Sequence, residues 1–303
     1  MADLGGPKGA GAALPRPQGL PWSKLGGGAG PLPLTRGVAA RNVTFGGHTL
    51  LLLAPTNDEH VGPPILETGQ PFQPDILGFM MDAIAPGSVV VDAGCNIASY
   101  AVFFAARAGP DGSVHCFEPQ RKMAHLASAN AAVNGLSGRL AVHNAALSFA
   151  QGLAHMSATV PDGRAKGLDI KQQDSMGRVV NFGGMNLGRD GEAVPAWALD
   201  GLRLENVSFI KVDVQGAEKL VLYGAQDTIR RCMPVVAYED QPAFTITQDM
   251  IEALSVPREV LGWDPAAYFQ SLGYTKTQPA WGEVLMIPPG WRRPPGAAGP
   301  AAA

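Results

Sequence analysis

Four acidic residues of this chain each follow a short apolar run that predicts a β-strand. Because these strands alternate with helix-like segments, the sequence predicts a parallel sheet, in which the carboxyl ends of the strands share one edge. Ligands of open parallel sheets bind at that edge, so we expect the four carboxylates to converge there on a cationic, hydroxyl-rich ligand. Strands that simply end in solvent at charged residues are the alternative. The four residues are Asp92, Glu118, Asp213 and Glu239.

The turn after the first of these strands discriminates between nucleotide ligands. A turn that binds pyrophosphate is expected to read Gly-x-Gly-x-x-Gly, but here only Gly94 is present, and Asn96 and Ala98 stand where such a turn would carry glycine. Asp92 would repel a pyrophosphate by roughly 1 kcal/mol or more, whereas it attracts the sulfonium and ammonium groups of S-adenosylmethionine. The turn therefore favours S-adenosylmethionine over NAD, with a purely structural strand–turn–helix as the alternative.

Beyond this turn, the chain resembles the FkbM-type family of S-adenosylmethionine-dependent methyltransferases over roughly residues 69–288. The turn alone is moderately specific, but its combination with Lys-x-Asp-Val-x-Gly-x-Glu at residues 211–218 is a strong signal. Two residues depart from the family pattern: Ala98 replaces the usual Gly, and Gln215 replaces the usual Glu. The matching blocks are residues 91–97, 117–119, 130–135, 144–147, 209–218 and 222–225.

The cofactor is expected to bind along three strand ends. Glu118 should accept hydrogen bonds from the ribose hydroxyls, each contributing about 1.5–3 kcal/mol. Asn144 and Ala145, at the end of the third strand, are candidates for contact with the adenine edge, with a structural turn as the alternative. The methionine and ribose portion should be lined by three residues of the turn, Asp92, Gly94 and Asn96.

Asp213 is the first candidate for a catalytic base, and it is also expected to contact the cofactor because its strand lies beside the cofactor strand. A hydroxyl acceptor must lose a proton, and a positioned base contributes about 10²–10⁴-fold. Glu218 either assists or only stabilises the start of the next helix. Gln215 removes one carboxylate from the family pattern, and the six His residues show no metal-binding spacing, so no metal site is predicted.

Composition is that of a globular enzyme, with 303 residues, 46% of them hydrophobic and 16% charged. A net charge of −3 gives no electrostatic signature of nucleic-acid binding. The three cysteines, Cys95, Cys116 and Cys232, are too few and too far apart in sequence to predict a disulfide framework or a zinc site. Cys95 is interpreted as a small residue that fills a tight turn, with a reactive thiol as the alternative.

The sequence divides into three parts. Residues 1–37 are rich in Gly and Pro and are predicted to be a disordered arm, residues 38–287 to be the methyltransferase domain, and residues 288–303 to be a disordered tail of Pro, Gly and Ala. No segment is long and apolar enough to predict a membrane span, and the arm has no secretory signal core. We therefore expect a cytoplasmic protein, while a role of the arm in organelle targeting stays open.

The alternation of strands and helices predicts a doubly wound, mostly parallel α/β sheet, and the family resemblance implies the class I methyltransferase, Rossmann-like type. The resemblance also implies that a closing strand pair supplies an antiparallel edge strand, and residues 42–53 should form a small N-terminal β-hairpin around Gly46 and Gly47. Residues 152–197 are predicted to be irregular. Within them, residues 181–187 are either part of a lid over the acceptor or an uneventful surface insertion.

Three functions are compatible with these residues. The leading one is S-adenosylmethionine-dependent O-methylation of a small hydroxyl compound, such as a sugar, a polyketide or a related metabolite. A noncatalytic module that binds S-adenosylmethionine is the second, because Ala98 and Gln215 depart from the family pattern. An NAD-dependent oxidoreductase is the third, and the missing phosphate-binding glycines argue against it. The sequence does not define the oligomeric state.

Overall fold

The computed structural model describes residues 32–35, 37–161, 163–240, 245–278 and 282–294. The predicted arm and tail fall largely outside these ranges. The strands are β1 (Leu32–Thr35), β2 (Val38–Phe45), β3 (His48–Pro55), β4 (Val89–Ala93), β5 (Ser113–Phe117), β6 (Leu140–His143), β7 (Ala146–Leu147), β8 (Gly152–Met156), β9 (Leu187–Gly188), β10 (Ala193–Trp197), β11 (Val207–Val212), β12 (Val235–Glu239), β13 (Thr275–Thr277) and β14 (Glu283–Ile287). The α-helices are α1 (Pro74–Ala83), α2 (Ala101–Ala108), α3 (Arg121–Val133), α4 (Ile170–Ser175), α5 (Glu218–Tyr223), α6 (Gln226–Cys232), α7 (Gln248–Leu254), α8 (Arg258–Gly262) and α9 (Pro265–Ser271).

Seven strands form one sheet in the order β13-β14-β12-β11-β4-β5-β6. Its strand pairs are parallel except for the two that involve β14. The doubly wound, mostly parallel sheet predicted from the sequence is therefore confirmed, and the antiparallel strand lies second from the edge. Because strand directions match across β5, β4, β11 and β12, their carboxyl ends meet at one edge of the sheet.

Two clusters of buried side chains hold the helices against opposite faces of this sheet. Val90 and Phe209 pack with α1, α2, α3 and the N-terminal strands on one face. Val91 and Ile210 pack with α5, α6 and α9 on the other. Successive residues of a strand point to opposite faces, so a strand covered on both sides is apolar throughout and carries polar groups only at its end.

The predicted N-terminal hairpin is present as β2 and β3, and its two turn glycines, Gly46 and Gly47, both have positive φ. The disordered arm predicted over residues 1–37 overlaps with a strand. Residues Leu32–Thr35, which were assigned to the disordered arm, form β1 and pair with β2. Backbone pairing with a neighbouring strand supplies order that composition does not reveal.

The stretch predicted to be irregular contains most of a second sheet, with strand order β7-β10-β8-β9. A third buried cluster packs α7 against this sheet. Periodicity missed these strands because they are only two to five residues long and because their stability comes from pairing between segments distant in sequence.

The segment after β11 forms two short helices, α5 and α6, instead of one continuous helix. The division falls at Gly224, where an added Cβ would overlap with the carbonyl oxygen of Ser148. The Gly224 carbonyl also accepts a hydrogen bond from the amide of Asp200 at 2.9 Å. This close approach between segments interrupts the helix, and hydrophobic periodicity carries no sign of it.

Cys95 and Cys116 form a disulfide, with their Cα atoms 5.8 Å apart, although the sequence analysis judged the cysteines too far apart to pair. The parallel pairing of β4 with β5 brings the turn after β4 beside the end of β5, so a separation of 21 residues in sequence becomes a contact. Disulfides are rare in cytosolic proteins, so this bond and the predicted cytoplasmic location point to different compartments. Among the described residues, no helix has the length and apolar character needed to cross a membrane.

Candidate active site

A cavity of about 280 Å³ lies at the carboxyl edge of the central sheet. Its walls come from the ends of β4, β5, β11 and β12, from the start of β14, and from the small sheet with its preceding loop. Five of the predicted site residues line this cavity together: Asp92, Gly94, Asn96, Glu118 and Asp213.

The turn after β4 depends on backbone conformations that few residues adopt. Gly94 has φ +78°, and an added Cβ would overlap with the carbonyl oxygen of Asp213. Asn96 and Ala98 also have positive φ, +52° and +61°. Asn tolerates this left-handed region, but for Ala the left-handed backbone conformation is about 1–2 kcal/mol less stable than the right-handed one. Gly would adopt the φ of Ala98 without this strain.

Asp92 is the most unusual group of the cavity because it is an acidic side chain that is only 1% exposed and lacks hydrogen-bond donors. Its Oδ1 lies 3.4 Å from Lys211 Nζ, but neither carboxylate oxygen accepts a hydrogen bond from a described residue. Burial raises the pKa of Asp92, and the Lys211 charge opposes that rise. A buried carboxylate without donors is costly, and a cationic ligand group in the cavity would offset that cost. The residues of the turn thus fit a sulfonium or ammonium ligand.

Glu118 holds the turn from the neighbouring strand. Its Oε2 accepts a hydrogen bond from the Asn96 amide and its Oε1 accepts one from the Gln120 amide, both at 2.8 Å. Burial raises the pKa of Glu118 to about 7, against the lowering effect of these two amides. Each carboxylate oxygen has a second lone pair, so Glu118 retains acceptor capacity on its cavity side.

Asn144 and Ala145 do not line the cavity, in contrast to the expectation that they contact adenine. The Asn144 side-chain amide donates to the backbone carbonyls of Glu118 and Pro119, each at 2.9 Å, and Ala145 is fully buried. The structural-turn alternative describes this segment. An apolar wall lies nearby, formed by Phe117, Leu147, Met156, Phe182, Met185 and Leu187. The last three belong to the predicted segment 181–187, and the sequence analysis did not identify the first three.

Asp213 lies just beyond β11, with its side chain 34% exposed. Its Oδ1 accepts a hydrogen bond from Gln215 Nε2 at 3.0 Å, and its Oδ2 lies 3.3 Å from Lys211 Nζ. Both oxygens are therefore oriented by side chains of the same motif, while the carboxylate still reaches the cavity.

Glu218, the second candidate for the base, lies outside the cavity lining. Its carboxylate accepts hydrogen bonds from the backbone amides of Val214 at 2.9 Å and Gly216 at 3.0 Å. Burial raises the pKa of Glu218 to about 7. Because its oxygens accept hydrogen bonds from backbone amides of the loop before α5, Glu218 anchors that loop at the start of the helix. The geometry does not support a catalytic assignment.

Glu239 and Glu283 form an acidic pair at the other end of the cavity, and Glu283 was missed by the sequence analysis. They are direct cross-strand partners on β12 and β14, and both line the cavity. Burial, together with the nearby Asp213 charge, raises the pKa of Glu239 to about 8 and that of Glu283 to about 7. An antiparallel strand starts where its parallel neighbours end, which is the signal that identifies Glu283.

The loop of residues 181–187 forms one wall of the cavity and is buried, so it is not a surface insertion. The Phe182 carbonyl accepts a hydrogen bond from Gln120 Nε2 at 2.8 Å, and Lys122 Nζ lies 4.4 Å from the centre of the Phe182 ring. Asn181 and Met185 are less than 10% exposed. Movement of this loop as a lid stays a hypothesis. Among the described residues, no group of three His, Cys, Asp or Glu side chains has a geometry suited to a metal ion.

Comparison with known proteins gives one family. A profile described as a methyltransferase FkbM domain matches residues 92–274, more than half of the chain. A 2-O-methyltransferase, NoeI, from Sinorhizobium fredii (strain NBRC 101917 / NGR234) is 28% identical over 167 residues, which are 52% of this chain and 66% of that protein. The chain therefore spans slightly less than two thirds of the length of this relative.

The solved structures that match the chain at low sequence identity include two methyltransferases. Methyltransferase FkbM from Methylobacillus flagellatus KT has a TM-score of 0.38 and 14% identity, over 69% of this chain and 50% of that one. An S-adenosylmethionine-dependent O-methyltransferase from Thermotoga maritima has a TM-score of 0.36 and 13% identity, over 83% and 78%. The family match includes Asp92, Glu118 and Asp213, and the chain belongs to the FkbM family of S-adenosylmethionine-dependent methyltransferases.

Proposed function

We propose that this protein transfers the methyl group of S-adenosylmethionine to a hydroxyl oxygen of a small polar compound. The observation that carries the proposal is Asp92, a buried carboxylate in a glycine turn that faces the cavity; among the described residues its oxygens have the ion pair with Lys211 Nζ, 3.4 Å away, but no neutral hydrogen-bond donor. Coulombic attraction between this carboxylate and a cationic ligand group is strong at low local dielectric. The sulfonium and ammonium groups of S-adenosylmethionine are such groups.

Four residues would hold the cofactor. Asp92, next to Gly94, would face its cationic methionine portion, and Asn96 would contact the adjoining ribose. Glu118 would accept hydrogen bonds from the ribose hydroxyls with the lone pairs that its two backbone amide donors leave free. The apolar wall around Leu147 would cover the adenine.

S-Adenosylmethionine supplies an electrophilic methyl carbon and a neutral thioether leaving group. Asp213 would act as the base on the acceptor: its carboxylate takes the hydroxyl proton while the acceptor oxygen forms its bond to the methyl carbon. The carbon–sulfur bond breaks at the same time, and its electron pair stays on sulfur. The remaining contribution is alignment, which accounts for roughly 7–11 kcal/mol in well-oriented reactions.

The residues at the acceptor end of the cavity support the proposal that the methyl acceptor is a hydroxyl compound. Gln215, Glu239 and Glu283 line it beside Asp213, and these side chains offer amide and carboxylate oxygens as acceptors for hydroxyl groups. The relative from Sinorhizobium fredii is a 2-O-methyltransferase, which favours oxygen over nitrogen as the methylated atom. The sugar, polyketide or related class expected from the sequence fits these groups.

Titration calorimetry followed by a turnover assay tests the proposal. S-Adenosylmethionine should bind and NAD should not. Production of S-adenosylhomocysteine should then depend on an acceptor from a panel of sugars and hydroxylated polyketides. Binding without turnover on any acceptor of the panel would favour the noncatalytic module, and binding of NAD alone would overturn the assigned cofactor.

A further inference from the structure

Lys211 is a buried cation at the centre of the site. It is only 5% exposed, lies on β11, and is the direct parallel-strand partner of Asp92 on β4. Its Nζ is 3.4 Å from Asp92 Oδ1 and 3.3 Å from Asp213 Oδ2, and it donates a hydrogen bond to the Gly94 carbonyl at 3.4 Å. One ammonium group therefore contacts both of the carboxylates that the proposed reaction uses.

The charge of this lysine is retained despite burial. Burial alone would lower the pKa of Lys211, but the carboxylates of Asp213 and Asp92 raise it above its usual value. Among the described residues that line the cavity, Lys211 is the sole Lys or Arg. The other ionisable groups that face Lys211 or Asp213 from neighbouring elements are Tyr100, Glu218, Glu239 and Glu283.

Gln215 acts on the opposite oxygen of the same carboxylate. Its Nε2 donates to Asp213 Oδ1 at 3.0 Å and lies 3.4 Å from Glu239 Oε2, so the amide bridges two acids. Gln215 lies in the loop between β11 and α5 and has φ +55°, a left-handed backbone conformation. A glutamate, the residue usual in the family, has no N–H group and would instead add a negative charge between these acids.

We infer that Lys211 and Gln215 are positioning residues that hold the Asp213 carboxylate from its two oxygens, with the Lys211 charge offsetting one of the two carboxylates at the methyl-transfer site. With Asp92, Asp213 and Lys211 all ionised, that site carries one net negative charge, which one sulfonium neutralises. The inference rests on the proposed function, because it takes Asp213 as the base and Asp92 as the partner of the sulfonium.

The charge balance is tested by comparing two ligands that differ in one charge. S-Adenosylmethionine and S-adenosylhomocysteine are titrated separately into the wild type, Lys211→Met, Gln215→Glu and the control Lys219→Met at pH 9. Lys219 lies on α5 and donates to the Leu261 carbonyl, away from the cavity. Both cavity variants make the site more negative, so the preference for the sulfonium ligand should rise by about fivefold or more, while Lys219→Met should leave it unchanged.

The positioning role is tested by turnover. Lys211→Met should move the acid limb of the pH–rate profile upward by about one pH unit, because loss of a cation disfavours an ionised carboxylate. Gln215→Met, which removes the donor without a charge change, should lower kcat several-fold with KM for the cofactor nearly unchanged. A loss of activity that is the same at every pH for Lys211→Met would mean a structural role only.

Gln215→Glu keeps the inference testable if Lys211→Met does not fold, since it removes no buried cation. An unchanged ligand preference in Gln215→Glu and in every folded Lys211 variant overturns the charge balance. If Asp213→Asn leaves turnover unchanged, or if the wild type does not bind S-adenosylmethionine, the proposed function fails instead. The two failures are therefore distinguishable.

Discussion

The two ends of the cavity differ in what holds their carboxylates in place. At the β5 end, Glu118 accepts two backbone hydrogen bonds, and the turn it supports is fixed by main-chain contacts. At the β12–β14 end, Glu239 and Glu283 face each other as cross-strand partners, and like charges in such positions are destabilising when both are ionised. The first end is therefore fixed by the backbone, whereas the repulsion between the facing acids of the second end changes with pH and with the ligand they meet.

This difference suits a methyltransferase. The cofactor is the same in every turnover, so a turn fixed by the backbone holds it with little loss of entropy. The acceptor must lose a hydroxyl proton, and carboxylates whose pKa lies near neutrality can accept a proton at neutral pH. The predictions below separate the two ends, beginning with the turn.

Gly94→Ala should have the largest effect, because the added Cβ would overlap with the Asp213 carbonyl oxygen. We expect the free energy of unfolding to fall by about 2–4 kcal/mol, and binding of S-adenosylmethionine to become undetectable by calorimetry. The control is Gly135→Ala, where φ is +66° and nothing lies within 4 Å of the added Cβ; urea unfolding should show a loss of only about 1 kcal/mol. Equal losses in the two variants would contradict the close packing of the turn.

Asp213→Asn should lower kcat by about 100-fold or more while the affinity for S-adenosylmethionine changes only modestly, because the amide preserves shape but accepts no proton. Glu218→Gln is its counterpart outside the cavity. It should lower the melting temperature through the weakened contacts with Val214 and Gly216, with kcat at saturation changed by a few-fold at most. The opposite pattern would transfer the base from Asp213 to Glu218.

The acidic pair of Glu239 and Glu283 contributes to the pH dependence of stability, as do Glu118 and Glu218, whose pKa values are also raised. The folded-state pKa values of Glu239 and Glu283, about 8 and about 7, lie above the usual value for Glu. The folded protein therefore binds more protons than the unfolded chain between about pH 4.5 and 8, and stability should decrease as pH rises through that window. The double variant Glu239→Gln with Glu283→Gln should lose less melting temperature between pH 6 and pH 9 than the wild type. Parallel curves would show that the pair does not contribute.

Ala98→Gly should have the smallest effect and the opposite sign. Replacing Ala at φ +61° by Gly removes backbone strain in the turn, so urea unfolding should show a gain of about 0.5–1 kcal/mol. The affinity for S-adenosylmethionine should stay within about twofold, because the Cβ does not define the charge of the site. A loss of stability would mean that Ala98 packs too well to be replaced.

The parts of the cavity differ in how far the sequence predicts them. The β4 turn and the acids at the ends of β4, β5, β11 and β12 follow from strand alternation, since consecutive parallel strands must end at one edge. The apolar wall around Leu147 and Met156 comes from strands of two to five residues, and only long-range pairing brings it to the cavity. Glu218 shows a further limit, because its carboxylate points to backbone amides rather than to the cavity, and residue type alone does not show that direction.

The binding of S-adenosylmethionine to Asp92→Asn tests the central claim most directly, with Asp82→Asn as the control. Asp82 is also buried, and it forms an ion pair with Arg293 away from the cavity lining. Calorimetry should show that Asp92→Asn weakens S-adenosylmethionine by about tenfold or more and weakens S-adenosylhomocysteine much less, because S-adenosylhomocysteine keeps the ammonium group but has no sulfonium to lose its ionic partner. Asp82→Asn should change neither affinity. Unchanged affinity for S-adenosylmethionine would contradict the assignment of Asp92 as the carboxylate that binds the cofactor cation, and equal losses for both ligands would contradict the sulfonium as its partner.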